Sequence, residues 1–151
     1  MIHHLIPRVL AKLLIPFILL FGLYVQFHGD FGPGGGFQAG VIFAAGIILY
    51  ALIYGLQAAQ SVIPARLVAA LMALGLLIYA GVGVATMMLG GNFLDYDLLD
   101  SHDPVHGQHL GILVIEFGVG VTVAAVMITI FYQFAGRLHL VRDLEAESDG
   151  S

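Results

Sequence analysis

QFHGDFGPGGGFQAGVIFAAG (Gln26–Gly46) sets a histidine, an acid and a cluster of glycines between two long apolar runs, and the fold turns on what those glycines do. Gly34-x-Gly36-x-x-x-Gly40 looks at first like a dinucleotide-binding turn. That turn needs a strand before it, a βαβ unit around it and an acidic residue some 20 positions later. Here the downstream sequence is YALIYG (Tyr50–Gly55), and no Lys-Ser or Lys-Thr follows that could complete a phosphate-binding loop. The flanks have the length and composition of membrane helices. The segment therefore reads as a hairpin turn between two of them, with Pro33 opening the second at fixed φ.

The rest of the chain supports that reading. Of 151 residues, 60% are hydrophobic and 10% charged, with mean hydropathy +0.98. Soluble domains hold about 45–50% apolar and 25% charged residues. A bilayer needs about 20 apolar residues per spanning helix, and the runs lack the period-2 alternation of a transmembrane barrel. Four helices are expected near Val9–Phe27, Phe37–Ala59, Pro64–Leu89 and His109–Phe134, giving an all-α membrane protein. The first run, LLIPFILLFGLYV (Leu13–Val25), has no small-residue cleavage site after it and reads as a retained anchor.

Every basic residue falls on one side of this arrangement. Arg8 and Lys12 lie at the N-terminus before the apolar run Leu13–Val25, Arg66 lies in the second linker, and Arg137 and Arg142 follow the last helix. The positive-inside rule then makes both termini cytoplasmic. The outer loops hold Asp30, Asp95, Asp97, Asp100 and Asp103, with His28, His102, His106 and His109 among them or at the next helix start. Such a face concentrates cations at a pore mouth, or is simply a solvated loop. Residues 1–137 form the membrane domain and residues 138–151 an acidic cytoplasmic tail, RDLEAESDGS at its end, expected to be disordered.

Several chemistries are excluded. The absence of cysteine removes thiolate catalysis and Cys-ligated metals. Ser61, Ser101, Ser148 and Ser151 lie in loops or tail, so no helix offers a serine nucleophile. The loop histidines and aspartates, His102, His106 and His109 with Asp100 and Asp103, could bind zinc or a similar ion, but they match no closed metal-ligand pattern, which favours a hydrated, pH-sensitive loop. Five basic residues spread over three places rule out nucleic acid.

One residue stands apart. Glu116 in GILVIEFGVGVTV (Gly111–Val123) lies about two turns inside the fourth helix and shares a side with His109 and Gly120. A carboxylate there costs several kcal/mol unless paired, hydrated or protonated. It can carry a proton or exchange it for a cation, or serve as a structural hydrogen-bonding group; Thr122 projects from a different face. Small residues recur at helical spacing: Gly36, Gly40 and Ala44; Ala69 and Ala73, then Ala80 and Gly83; Gly118, Thr122, Ala125 and Thr129; Gly120 and Ala124. These are more close-packing stripes than four helices need for one another, which points to neighbouring subunits. No internal repeat of the transporter kind is present.

PGGGFQAG (Pro33–Gly40) opening one helix and HLGILVIEFGVGVTV (His109–Val123) opening another resemble the B subunit of the multisubunit Mrp-type sodium/proton antiporters, the MnhB domain, over about residues 1–137. The resemblance implies a prokaryotic inner-membrane, multi-pass subunit of a hetero-oligomer that exchanges Na⁺ for H⁺, a secondary transporter rather than an enzyme, and it implies no small-molecule cofactor. Its characteristic positions here are Pro33, Gly34, Gly35, Gly36 and Phe37, and Glu116, Gly118 and Gly120. Similar domains occur in membrane-bound hydrogenases and related ion-pumping respiratory complexes, and at the end of large antiporter subunits; starting at Met1 and ending in a tail, this chain is expected to be a separate subunit. Glu116, His109, Asp30 and His28 are the candidate ion-pathway residues. The alternatives are a non-conducting scaffold, or the equivalent subunit of a membrane-bound hydrogenase or related ion-pumping respiratory complex.

Overall fold

The computed structural model describes residues 6–29, 34–100 and 102–137 with their side chains, and the backbone of residues 5 and 138–149. The described residues are helical, with α1 Leu5–Phe27, α2 Gly36–Tyr54, α3 Leu56–Val62, α4 Ala65–Met88 and α5 Pro104–Asp149. Four of these are long and apolar enough to cross a membrane: Ile6–Phe27, Gly36–Tyr54, Ala65–Met88 and Pro104–Arg137. Asp30 and Pro33 lie outside the described residues.

The expected helix ends differ most in three places. The second span breaks at Gly55, whose φ of 95° is open to glycine at little cost. Helical bonding continues across it, from the Gly55 N–H to Ala51 O (2.8 Å) and from the Ala59 N–H to Gly55 O (3.1 Å), so most of the expected linker becomes α3. The fourth span starts five residues early because Asp103 caps it, its Oδ1 accepting the N–H groups of Val105 (3.0 Å) and His106 (3.3 Å). It also runs on to Asp149, so residues 138–149 are helical and not the disordered tail that their composition suggests.

α5 is the centre of the bundle, with α2 on one flank and α4 on another; α1 packs on α2 and scarcely reaches α5. The fully buried positions are mostly small, among them Ala39, Ala44, Ala51, Ala59, Thr86 and Ala125. Leu77, Met88 and Phe134 point outward. This is the distribution of a bundle held by close backbone approach within lipid. At the basic end, Tyr54 OH donates to Arg8 O (2.9 Å) and Tyr132 OH to Ile63 O (3.1 Å), tying α2 to α1 and α5 to the α3–α4 link.

At the opposite, acidic end the α4–α5 loop is ordered around one hydroxyl. Thr86, fully buried, has Oγ1 within 2.9 Å of Gly83 O and 3.0 Å of Asn92 O, and accepts the Leu94 N–H at 3.0 Å. Leu94 adopts φ 64°, and the Phe93 ring lies over Gly83, where no side chain would fit. A 3₁₀ turn, Tyr96–Leu99, then packs on α5 at Gly107 and Gly111.

Candidate functional site

The two glycine-rich motifs and the intramembrane acid form one site. The Glu116 side chain leaves α5 toward the turn between α1 and α2, and its carboxyl lies among glycines. A Cβ on Gly29 would stand 2.7 Å from Glu116 Oε1, and one on Gly35 would stand 2.6 Å from the same oxygen. Gly35 also has φ 116°, a conformation that side chains with a Cβ rarely adopt. Both space and backbone conformation therefore require glycine there.

Below the carboxyl, α2 and α5 touch backbone to backbone. A Cβ on Gly36 would fall onto the Glu116 carbonyl oxygen and stand 2.7 Å from its carbon. One turn on, a Cβ at Gly40 would lie 2.6 Å from Gly120 O, and one at Gly120 would lie 3.1 Å from Gly36 O and 2.6 Å from the Gln26 Oε1. Gln26 is 9% exposed. Gly118 and Thr122 turn the other way, toward Gly75 of α4; Thr122 Oγ1 donates to Gly118 O (2.9 Å) in its own helix. The helical-wheel separation of Thr122 from Glu116 thus holds.

Electrostatics follow from placement. Gly35 is the N-cap of α2 and has no side chain to receive the unpaired N–H groups of the first turn, and its own N–H bonds Val25 O (3.3 Å). That end of α2 carries the partial positive charge of its aligned peptide dipoles, which favours an anion beside it. Glu116 supplies the carboxyl there from α5. The half-buried acid thus lies beside a helix end that favours its charge.

The other expected site residues are spread out. His28 is exposed and stacks on Tyr24 (ring centroids 5.0 Å apart). His109 is exposed at the acidic end of α5, two turns from Glu116, and Phe37 is exposed next to Gly36. Gly34 packs on Val25 O. In the α4–α5 loop Asp100 Oδ2 meets His106 Nδ1 at 2.9 Å, and Asp100 Oδ1 accepts the His102 N–H (3.0 Å) and the Asp103 N–H (3.3 Å). The His102 N–H foremost, then the His106 side chain and the Asp103 N–H, hold the Asp100 carboxyl below the usual range. Among the described residues no group of three or more His, Asp or Glu is placed to hold a metal ion.

Sequence reasoning missed Gly29, Gln26 and Gly75. Each touches a partner some 40 to 95 positions away in the chain, and only the periodic spacing of Gly118 and Gly120 hinted that α5 would need small neighbours on two flanks.

A family model described as a domain related to the MnhB subunit of Na⁺/H⁺ antiporter matches residues 6–129. The protein named for antiporter subunit mnhB2 in Staphylococcus haemolyticus (strain JCSC1435) is 32% identical over 131 residues, which cover 85% of this chain and 92% of the relative. Its namesake in Staphylococcus aureus (strain Newman) is 31% identical over the same shares of each.

Proposed function

Since this chain belongs to the MnhB family and is a subunit of a multisubunit Na⁺/H⁺ antiporter, we propose that it contributes Glu116 to the cation pathway of that complex. The observation that carries this reading is the Glu116 carboxyl, set inside a membrane-spanning helix yet held in a glycine cradle beside the start of α2. A carboxyl so placed keeps its position in both protonation states, because the helix end offsets its charge and the glycines make room for the carboxyl itself. Na⁺ and H⁺ are the exchanged ions, and the proton gradient drives the exchange. His28, Asp30 and His109 collect cations on the acidic side, and the sister subunits supply the rest of the path.

The complex sits in a bacterial cytoplasmic membrane with the basic ends of this chain inside. The one-sided placement of Arg8, Lys12, Arg66, Arg137 and Arg142 supports that orientation. The antiporter names of the matched relatives favour this setting over the hydrogenase-type complexes that share the domain. A second reading, a non-conducting scaffold, draws on the same contact: Glu116 then serves only to fasten α5 to the α1–α2 turn.

Glu116→Gln separates the two. It keeps size and hydrogen-bonding capacity but removes the titratable group. If Glu116 handles ions, Na⁺-dependent proton exchange in everted membrane vesicles falls roughly 100-fold or more while sister subunits still co-purify. Full exchange with normal assembly would assign Glu116 to the scaffold.

A further inference from the structure

Gln26 stands in the last turn of α1 and is only 9% exposed, although α1 as a whole scarcely reaches α5. Its own chain already encloses it, so a neighbouring subunit can only enclose it further. The side chain makes no hydrogen bond to another described residue. Among the described residues no fully enclosed side-chain nitrogen or oxygen lacks a partner, so the amide keeps its small remaining surface. That surface opens on the groove between α1 and α5, where Leu23, Phe27, Phe117 and Val121 are apolar neighbours. A buried amide is costly to leave unbonded, and this one therefore points to a bound polar molecule.

Its place relative to Glu116 says what that molecule can do. Gln26 Oε1 and Gly36 O both border Gly120, where a Cβ would stand 2.6 Å from the first and 3.1 Å from the second. Gly120 lies one turn from Glu116 on the same side of α5, about 6 Å along the axis. Gly29, three residues beyond Gln26, borders the Glu116 carboxyl itself. The amide thus sits about one turn deeper than the carboxyl. Toward α2 and α4, by contrast, α5 is in backbone contact at Gly36, Gly40 and Gly75, and those contacts leave no passage. One amide and one main-chain carbonyl are too few oxygens to replace the hydration shell of a bare cation. They suit water, which needs about two to four polar partners, because the amide donates as well as accepts.

Resting on the reading that Glu116 handles ions, we propose that Gln26 holds water beneath the Glu116 carboxyl and that protons reach and leave the carboxyl through it. The water gives a proton to the Glu116 carboxylate as it takes one from a neighbouring water on its other side, and the reverse passage restores both. Gln26 orients the water and keeps its own protons. It is a positioning residue.

Gln26→Met keeps the length and bulk of the side chain and removes both hydrogen-bonding atoms. Were Gln26 only a packing residue, methionine would be tolerated without loss, since an apolar group of the same shape leaves nothing unpaired. If it holds the water, Na⁺-dependent proton exchange in everted vesicles should slow about tenfold, the effect of one lost hydrogen bond, while the subunit's level and its co-purification with sister subunits stay unchanged. Full exchange in Gln26→Met beside slow exchange in Glu116→Gln overturns this assignment alone, and full exchange in Glu116→Gln overturns both readings. Water at the position is measured separately. The chain has no cysteine, so Gln26→Cys in the assembled complex should gain the mass of a small, charged methanethiosulfonate reagent, which attacks a hydrated thiolate. A Gln26→Cys subunit that stays unlabelled would overturn the proposal, and should Gln26→Met not assemble, the labelling decides.

Discussion

Gly29 and Gly36 both lie against Glu116, but they meet different parts of it. A methyl at Gly29 reaches the carboxyl, the mobile end of a flexible side chain, and a methyl at Gly36 reaches the main-chain carbonyl of α5. Gly29→Ala should therefore turn the carboxyl aside for about 1 kcal/mol of rotamer strain and leave the bundle intact. Gly36→Ala must push two helices apart, an overpacking cost of about 1–3 kcal/mol or more. The expected outcome is a Gly29→Ala complex that co-purifies normally but exchanges ions poorly, and a Gly36→Ala subunit whose level in the membrane drops. Normal exchange in Gly29→Ala would mean that the carboxyl position is not used in transport. Sequence reading singled out both partners of this contact, Gly36 and Glu116, but as separate motifs. Their meeting was hidden because they are far apart in the chain, and a carboxyl in a cradle leaves no periodic trace.

The helices themselves were largely legible, since four long apolar runs leave few alternatives in a bilayer. What composition did not show were the places where a single polar group or glycine overrides it. Gly55 bends the second span so that QAAQSV becomes α3, and Asp103 starts α5 a turn and more ahead of its apolar run. Nothing in the sequence singles out Thr86. In the structure it is the anchor of the α4–α5 loop. Thr86→Val keeps the shape but strands the Leu94 N–H, and losing a partner for a part-buried donor costs about 1–3 kcal/mol. Protease added to the acidic face of vesicles should cut between Gly90 and Asp103 faster in Thr86→Val than in wild type, with α4 still membrane-embedded. Equal cleavage rates would show that Phe93 and the Tyr96–Leu99 turn hold the loop without the hydroxyl.

At the scale of the molecule, the surplus of small-residue stripes was the reason to expect neighbouring subunits, and the structure changes that account. Gly36 and Gly40 are spent on Glu116 and Gly120, and Gly118 and Thr122 on Gly75. Leucine at Gly36 or Gly40 would thus break this subunit's own packing and report nothing on its contacts with others. The outward surface that remains includes Ala69, Ala73, Leu74 and Leu77 of α4. Orientation is a separate whole-chain property, fixed by charge and not by packing. Moving a basic residue across lipid is costly, and all five lie on one side of the four spans, so the Asp95–Asp103 loop should face outward. The cysteine-free sequence makes this measurable. Leu98→Cys, in the acidic-side loop, should react with a membrane-impermeant maleimide in intact cells. Ser61→Cys in α3, at the basic end, should react only after the membrane is opened. The reverse pattern would place the acidic loop inside, and the Glu116 cradle would then open to the cytoplasmic pool of ions and not to the external one.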